Sequence, residues 1–218
     1  MGVREGGESM KWIDMTLAEF QLALASSEPT PGGGTAAAIA LGQATSLTMM
    51  VTSLTILNTK WADGHEAAHK AEEVCNELYL RTGDLAQLDS EAFEQVMKSF
   101  QMPKTTEDEI KKRKNTIRKS MLNAAEIPFQ TAELGMKLLN CLEELAIRGN
   151  GNAVSDVGVA ALLASAAVKG ALFNVEINLQ SLPIDTGVGM RSNIDKIRLD
   201  CSKVSRRVMH AVHERIHQ

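Results

Sequence analysis

Between Asn152 and Leu179 the chain reads NAVSDVGVAALLASAAVKGALFNVEINL, a run with no continuous polar face. A helix that is apolar on every side has to lie in a protein core or in a bilayer. The residue types favour the core. They are mostly Ala, Gly and Val rather than Leu and Ile, and Asp156, Lys169 and Glu176 are each expensive at membrane depth. Small side chains let neighbouring helices approach closely from several sides. Residues 35–57, TAAAIALGQATSLTMMVTSLTIL, read the same way, and their Thr and Ser hydroxyls can bond back to helical carbonyls and so permit burial. The chain must therefore bury two apolar helices, and a membrane span is not expected.

The remaining segments supply the cover. Residues 1–10 are polar and are expected to be disordered. Asp14 and Thr16 open a short amphipathic helix, TLAEFQLALAS, that ends at Ser26 or Ser27. Glu28-Pro29-Thr30-Pro31-Gly32-Gly33-Gly34 is a loop, because two prolines and three glycines oppose regular structure. A third helix starts near Asp63 and runs to Phe100 with a bend expected at Gly83. Thr106 and Glu109 form a capping-box pattern for a fourth helix that reaches Ile147, and Pro128 inside it predicts a kink or break at Ile127. After the turn Gly149-Asn150-Gly151-Asn152 comes the central apolar helix. A loop marked by Pro183, Gly187 and Gly189 follows, and then a polar helix over about 191–217. No run alternates as a strand does. The expectation is one all-α domain over 1–218, a multihelical bundle whose buried central helix is wrapped, with the other apolar helix, by amphipathic ones.

Composition narrows the function. With 44% hydrophobic residues and a net charge of −4, the chain can build a core but shows no basic footprint for nucleic acid. Cys75, Cys141 and Cys201 are odd in number and scattered, which argues against a disulfide framework and a zinc ribbon and for a reducing compartment. The first residues, MGVREGGESM, lack the apolar core of a secretory signal and the Ser or Thr of a myristoylation site, so a cytoplasmic protein is expected.

Several constellations carry possible chemistry. His65-Glu66-Ala67-Ala68-His69 matches the zinc-hydrolase spacing, but its flanks are polar and no third ligand follows, so a solvated helix face is favoured and no metal is expected. His210, His213 and His217 share a face of the last helix and read as solvated. Pro31, Gly32, Gly33 and Gly34 lead straight into a helix N-terminus. Such a turn is either a cradle for an anion or carbonyl, or simply a tight connection. Asp89, set among Leu85, Leu88, Phe93 and Val96, is an acid whose pKa a dry site would raise. Asp156 either acts in catalysis or caps its own helix. Asn174 and Asn178 either read a polar heterocycle or bond neighbouring helices.

Taken in order, Pro29-Thr30-Pro31-Gly32-Gly33-Gly34, Asp89-Ser90-Glu91-Ala92-Phe93, Met102-Pro103-Lys104, Glu126-Ile127-Pro128 with Ala132-Glu133, and the runs 149–161 and 170–179 resemble the cyclodeaminase/cyclohydrolase family. This is the C-terminal domain of formimidoyltransferase-cyclodeaminase, which also occurs as a free-standing bacterial methenyltetrahydrofolate cyclohydrolase. The resemblance covers roughly residues 14–182. It implies an all-α homodimer or higher assembly, a folate substrate and no separate cofactor, with a formimidoyltransferase as a possible partner. It also implies roles by position: Asp89 as acid/base, the Gly-rich loop for folate contact, and Asp156 as a second polar anchor. Where relatives tend to carry a Gly-Lys-Lys-like run, this chain has Asn58-Thr59-Lys60-Trp61, leaving Lys60, with Lys104, for the acidic end of folate. The implied reactions are hydrolysis of 5,10-methenyltetrahydrofolate and cyclisation of 5-formiminotetrahydrofolate with loss of ammonia. The alternative is a folate-binding or assembly protein that keeps the fold without activity.

Overall fold

The structure, a computed structural model, describes residues 10–217, so the expectation for residues 1–9 lies outside the described residues. Six α-helices account for most of the chain, with no strand among the described residues: α1 (Leu17–Leu24), α2 (Gly33–Ile56), α3 (His65–Phe100), α4 (Glu107–Arg148), α5 (Val154–Gln180) and α6 (Val188–Ile216). Short 3-10 turns at Trp12–Asp14, Thr59–Gly64 and Gly151–Ala153 join or precede them.

Local chemistry sets most of the boundaries. Thr16 accepts the Glu19 N–H while the Glu19 carboxylate accepts the Thr16 N–H, so α1 begins on a capping box. Thr106 and Glu109 begin α4 in the same way, as their spacing predicts. Along α2, the hydroxyls of Thr45, Thr48 and Thr55 donate to the carbonyls of Leu41, Ala44 and Val51, and all three side chains are buried. Gly187, at φ 69°, supplies the left-handed residue before α6. The Arg191 guanidinium then ties α6 to the carbonyls of Leu179 and Leu182 at the end of α5.

Two expected irregularities are not breaks. α3 runs through Gly83 without interruption. The glycine is there because Ile13 of the N-terminal 3-10 turn packs onto it, and a Cβ would stand 2.6 Å from Ile13 Cδ1. α4 likewise runs through Pro128. Proline lacks the N–H that would bond the Ala124 carbonyl one turn back. Asn178 of α5 fills that gap, its Nδ2 donating to Ala124 O at 2.8 Å.

Helices α2, α3, α4 and α5 pack in that order around a common core, α5 closing against α2, and α6 lies in the groove between α4 and α5. The core is aliphatic, with Leu41, Leu139, Leu142, Val168 and Leu172 fully buried. α5 is thus central, as expected, but the wrapping is incomplete. α5 leaves Val159, Leu162, Phe173 and Ile177 exposed, and α2 leaves Met50 and Leu54 exposed. With only three helical neighbours, α5 cannot be covered on every side. By length and composition both α2 and α5 could cross a membrane, yet each turns one face into the bundle core.

Asn178→Ala strands the buried Ala124 carbonyl and is expected to lower unfolding free energy by about 1–3 kcal/mol in urea titrations. Adding Pro128→Ala restores the backbone N–H and recovers most of the loss. Equal stability of Asn178→Ala and the parent chain would refute this account.

Candidate active site

The Gly-rich loop and Asp89 form one unit. Gly32 is the N-cap of α2 and has no side chain with which to satisfy the first N–H groups of the helix. Asp89 of α3 does it from outside, accepting both the Thr35 hydroxyl, at 3.0 Å on Oδ2, and the Thr35 backbone N–H. This contact requires glycine at Gly34, where a Cβ would overlap the Asp89 carboxylate. Gly33 has ordinary room, since its Cβ would lie 3.6 Å from Asn174 Nδ2. The N–H groups of Gly33 and Gly34 have no acceptor among the described residues, so a ligand carbonyl or anion can take them.

Asp89 is half-buried, and its surroundings are largely apolar. A second apolar cluster, with Ala38, Leu85, Ala86, Ala92 and Ile127 at its centre and Leu88 against it, packs around this part of α3. Burial pushes the Asp89 carboxyl above the ordinary carboxylate range, partly offset by the Thr35 hydroxyl and N–H, which favour the ionised form. Behind Asp89 the bonding continues: Thr35 Oγ1 lies 3.0 Å from Ser90 Oγ, and Trp12 Nε1 donates to Ser90 Oγ at 2.8 Å. All three residues are buried, with exposures of 0% for Thr35, 1% for Ser90 and 5% for Trp12. A groove of about 1160 Å³ lies between the N-terminal turn, α1, α2, α3 and α5 with Trp12 in its wall, and neither Asp89 nor the Gly-rich turn lines it. Ile39 of the groove stands one turn along α2 from Thr35.

Other residues named from the sequence separate into two groups. Pro31 is buried at the head of α2, and Asn174 stands beside Gly33 with its amide N–H returned to the Gly170 carbonyl at 2.9 Å. Asn178, one turn on, has its amide committed to α4, which makes it a structural bond and not a free ligand group. Lys104 is exposed just past α3, at the same end of the bundle as Asp89. Asp156 and Lys60 lie elsewhere. Gly33 meets Asn174 and Ala37 meets Gly170, so α2 and α5 run antiparallel, and Asp156, in the first turn of α5, is at the opposite end. The 18 residues from Asp156 to Asn174 span about 27 Å of helix. Lys60, beyond the C-terminus of α2, sits with its ammonium 4.7 Å from the Trp61 ring centroid. Within one subunit neither residue joins Asp89, so the expectation of Asp156 as an anchor in the same pocket does not hold for the single chain.

Competing chemistries find little support. Burial raises the Cys75 and Cys141 thiols to about 12, leaving them protonated and poorly nucleophilic at neutral pH. His69 Nδ1 pairs with Glu72 at 3.3 Å and His65 Nε2 meets the Asn58 carbonyl at 3.3 Å. Among the described residues no three His, Cys, Asp or Glu side chains converge as metal ligands. The sequence reading missed Thr35, Ser90 and Trp12. Thr35 adjoins one recognised motif and Ser90 lies within another, but no sequence pattern shows that a tryptophan 78 residues away bonds to Ser90.

The fold and site thus define an all-α protein with a half-buried, hydroxyl-supported carboxyl at a glycine-lined helix N-terminus, an arrangement suited to proton transfer. A sequence model of the formiminotransferase-cyclodeaminase family matches residues 16–188, and the chain belongs to that family. It is 37% identical over 171 residues to a methenyltetrahydrofolate cyclohydrolase of Methylorubrum extorquens, covering 77% of this chain and 80% of the relative. It is 27% identical over 183 residues to the mouse formimidoyltransferase-cyclodeaminase, covering 84% of this chain but only 34% of that protein. The crystal structure of a formiminotetrahydrofolate cyclodeaminase from Thermotoga maritima superposes with a TM-score of 0.75 at 28% identity, covering 93% of this chain and 96% of that one.

Gly34→Ala forces the Asp89 carboxylate away from the α2 N-terminus and is expected to cost about 1–3 kcal/mol as overpacking, whereas Gly33→Ala leaves the melting temperature close to the parent value. Calorimetric melting of the two variants tests this. Equal behaviour would mean that the close contact at Gly34 does not exist in solution.

Proposed function

We propose that this chain is an enzyme of one-carbon tetrahydrofolate metabolism in which Asp89 carries the proton. It would hydrolyse 5,10-methenyltetrahydrofolate, cyclise 5-formiminotetrahydrofolate, or do both. The observation that carries the reading is the placement of a half-buried carboxyl at the Gly33-Gly34 turn, in a chain 37% identical to a methenyltetrahydrofolate cyclohydrolase.

In the hydrolytic direction, ionised Asp89 takes a proton from water as the water oxygen bonds to the cationic methenyl carbon. The resulting adduct collapses with cleavage of the bond from that carbon to N5. Asp89 returns its proton to N5, the second water proton goes to solvent, and the formyl group stays on N10. In the deaminating direction, the anilinic N10 of the protonated formimino compound attacks the formimino carbon. Asp89 accepts the N10 proton and hands it to the amino group, which leaves as ammonia. One carboxyl whose proton affinity burial raises serves both directions, a contribution of order 10²- to 10⁴-fold. Neither balance calls for a metal or a redox cofactor. The free N–H groups of Gly33 and Gly34 and the Asn174 carbonyl oxygen supply polar contacts for the pterin edge.

Lys104, with Lys111, Lys114 and Arg118 on the first turns of α4, offers exposed cations, none in an ion pair among the described residues, for the carboxylates at the far end of folate. The uncovered apolar stripes of α2 and α5 support a homodimer or higher assembly. Three unpaired cysteine thiols support a reducing, cytoplasmic setting.

Loss of methenyltetrahydrofolate absorbance above the spontaneous rate, and ammonia release from 5-formiminotetrahydrofolate, test the activity directly. Folate binding by calorimetry with neither reaction would instead support the non-catalytic alternative. Asp89→Asn is expected to lower turnover by about 10²- to 10⁴-fold. Because the folded-state pKa lies above the unfolded value, the protonated form is the one that folding favours, and its contribution fades as pH rises through the folded value. Asn mimics that neutral form, so the melting temperature at pH 7 should not fall. Thr35→Val removes a donor that favours ionisation, so the acidic limb of the kcat profile should move to higher pH. Thr35→Ser should leave it in place, and a downward shift in Thr35→Val would contradict the assignment.

A further inference from the structure

We propose that Trp12 is a positioning residue for Asp89, its indole N–H acting through the Ser90 and Thr35 hydroxyls to fix which carboxylate oxygen carries the transferred proton. This inference rests on Asp89 being the proton carrier. The argument starts from which groups can donate. The Trp12 indole has one N–H and no acceptor, and an ionised carboxylate accepts only. Between them stand two hydroxyls with one proton each. Thr35 spends its proton on Asp89 Oδ2, so the Thr35–Ser90 contact must be donated by Ser90, and Ser90 in turn accepts from Trp12. One orientation satisfies every bond: Trp12 N–H to Ser90, Ser90 O–H to Thr35, Thr35 O–H to Asp89.

Donors aligned in series polarise one another, and burial shields the series from competing water. Oδ2 always faces a donor. A proton taken up by Asp89 therefore sits on Oδ1, the carboxylate oxygen nearest to where a Cβ at Gly34 would stand. Without the indole, Ser90 is free to turn its proton elsewhere and Thr35 can donate to Ser90; without the Ser90 hydroxyl, Thr35 loses the donor that polarises it. In both cases the hold of Thr35 on Oδ2 weakens, and Oδ2 becomes a second protonation site. The N-terminal turn is held for this task at two more points, Ile13 on Gly83 and the Lys11 ammonium 3.2 Å from Asp84.

Nearby charges do not offer a rival explanation. α2 has no ionisable side chain. The turn carries Lys11 and Asp14, and α3 carries Asp84, Glu91, which accepts from Gln87, and Glu94. The facing parts of α4 and α5 carry Lys119, Glu126 and Glu176, the last paired with Arg198. Asp89 is displaced only by burial and by Thr35, with no charge interaction from any of these.

The test is steady-state kinetics of the full chain on 5,10-methenyltetrahydrofolate across pH. Trp12→Phe keeps the ring and removes the N–H, and Ser90→Ala breaks the series at its middle. Each is expected to lower kcat about fivefold, the size of one net hydrogen bond, with KM within about twofold, and to move the acidic limb to higher pH. Combined, they should lose no more than either alone, because both cut one series. If Trp12→Phe fails to fold, Ser90→Ala carries the same expectation alone. Parent-like kcat and pH profile in a folded Trp12→Phe or Ser90→Ala, or multiplied losses in the double variant, overturn the proposal. Asp89→Asn separates the two levels. If it retains full turnover, the reading of Asp89 falls and this inference with it. If it is inactive while the other variants behave like the parent, only the inference falls.

Discussion

The capping of one helix by a carboxylate from another is the interaction on which this site depends. α2 begins without a capping side chain of its own, and its first turn would leave N–H groups unpaired beside a dry core. Asp89 meets that need from α3 and in doing so is drawn partly out of water. The same contact that anchors the start of α2 places an acid whose proton affinity is set by opposing effects, burial against two donors from Thr35. Structure and chemistry are therefore not separable at this residue, and the glycine at Gly34 is the geometric condition for both.

The way the apolar helices pack explains the division of the molecule into two ends. Antiparallel α2 and α5 put the Gly-rich turn and Asn174 at one end, and Lys60, Trp61 and the first turn of α5 at the other. The second end has a character of its own, with both the Lys60 ammonium and the Arg215 guanidinium over the Trp61 ring, the latter 5.4 Å from the ring centroid. Asp156 belongs there, in a helix start with no side-chain cap, where an acid in the first turn complements the helix dipole.

Much of this was legible in the sequence, for identifiable reasons. The all-apolar runs declare buried helices because nothing else can shelter them, and Thr106 with Glu109 declares a helix start because the bonding is local. Asp89 stood out because an acid amid leucines has few bland uses. What could not be read depends on contacts between distant segments. Gly83 looked like a bend and is a seat for Ile13; Pro128 looked like a break and is compensated by Asn178, fifty residues on. That Asp89 and Asp156 lie far apart within one chain was hidden for the same reason, since sequence order does not give the relative direction of two helices.

The clasp formed by Arg191 has a consequence for how the domain is delimited. The family match ends at residue 188, at the first residue of α6. Yet the guanidinium that closes the last turn of α5 comes from three residues further on, and the helix bearing Asn174 and Asn178 leans on it. A fragment trimmed to the matched span would leave the end of α5 to fray next to the Gly-rich turn. The working unit is thus longer than the recognisable one, and the final helix, with the weakest family signature, belongs to the machinery by mechanical linkage.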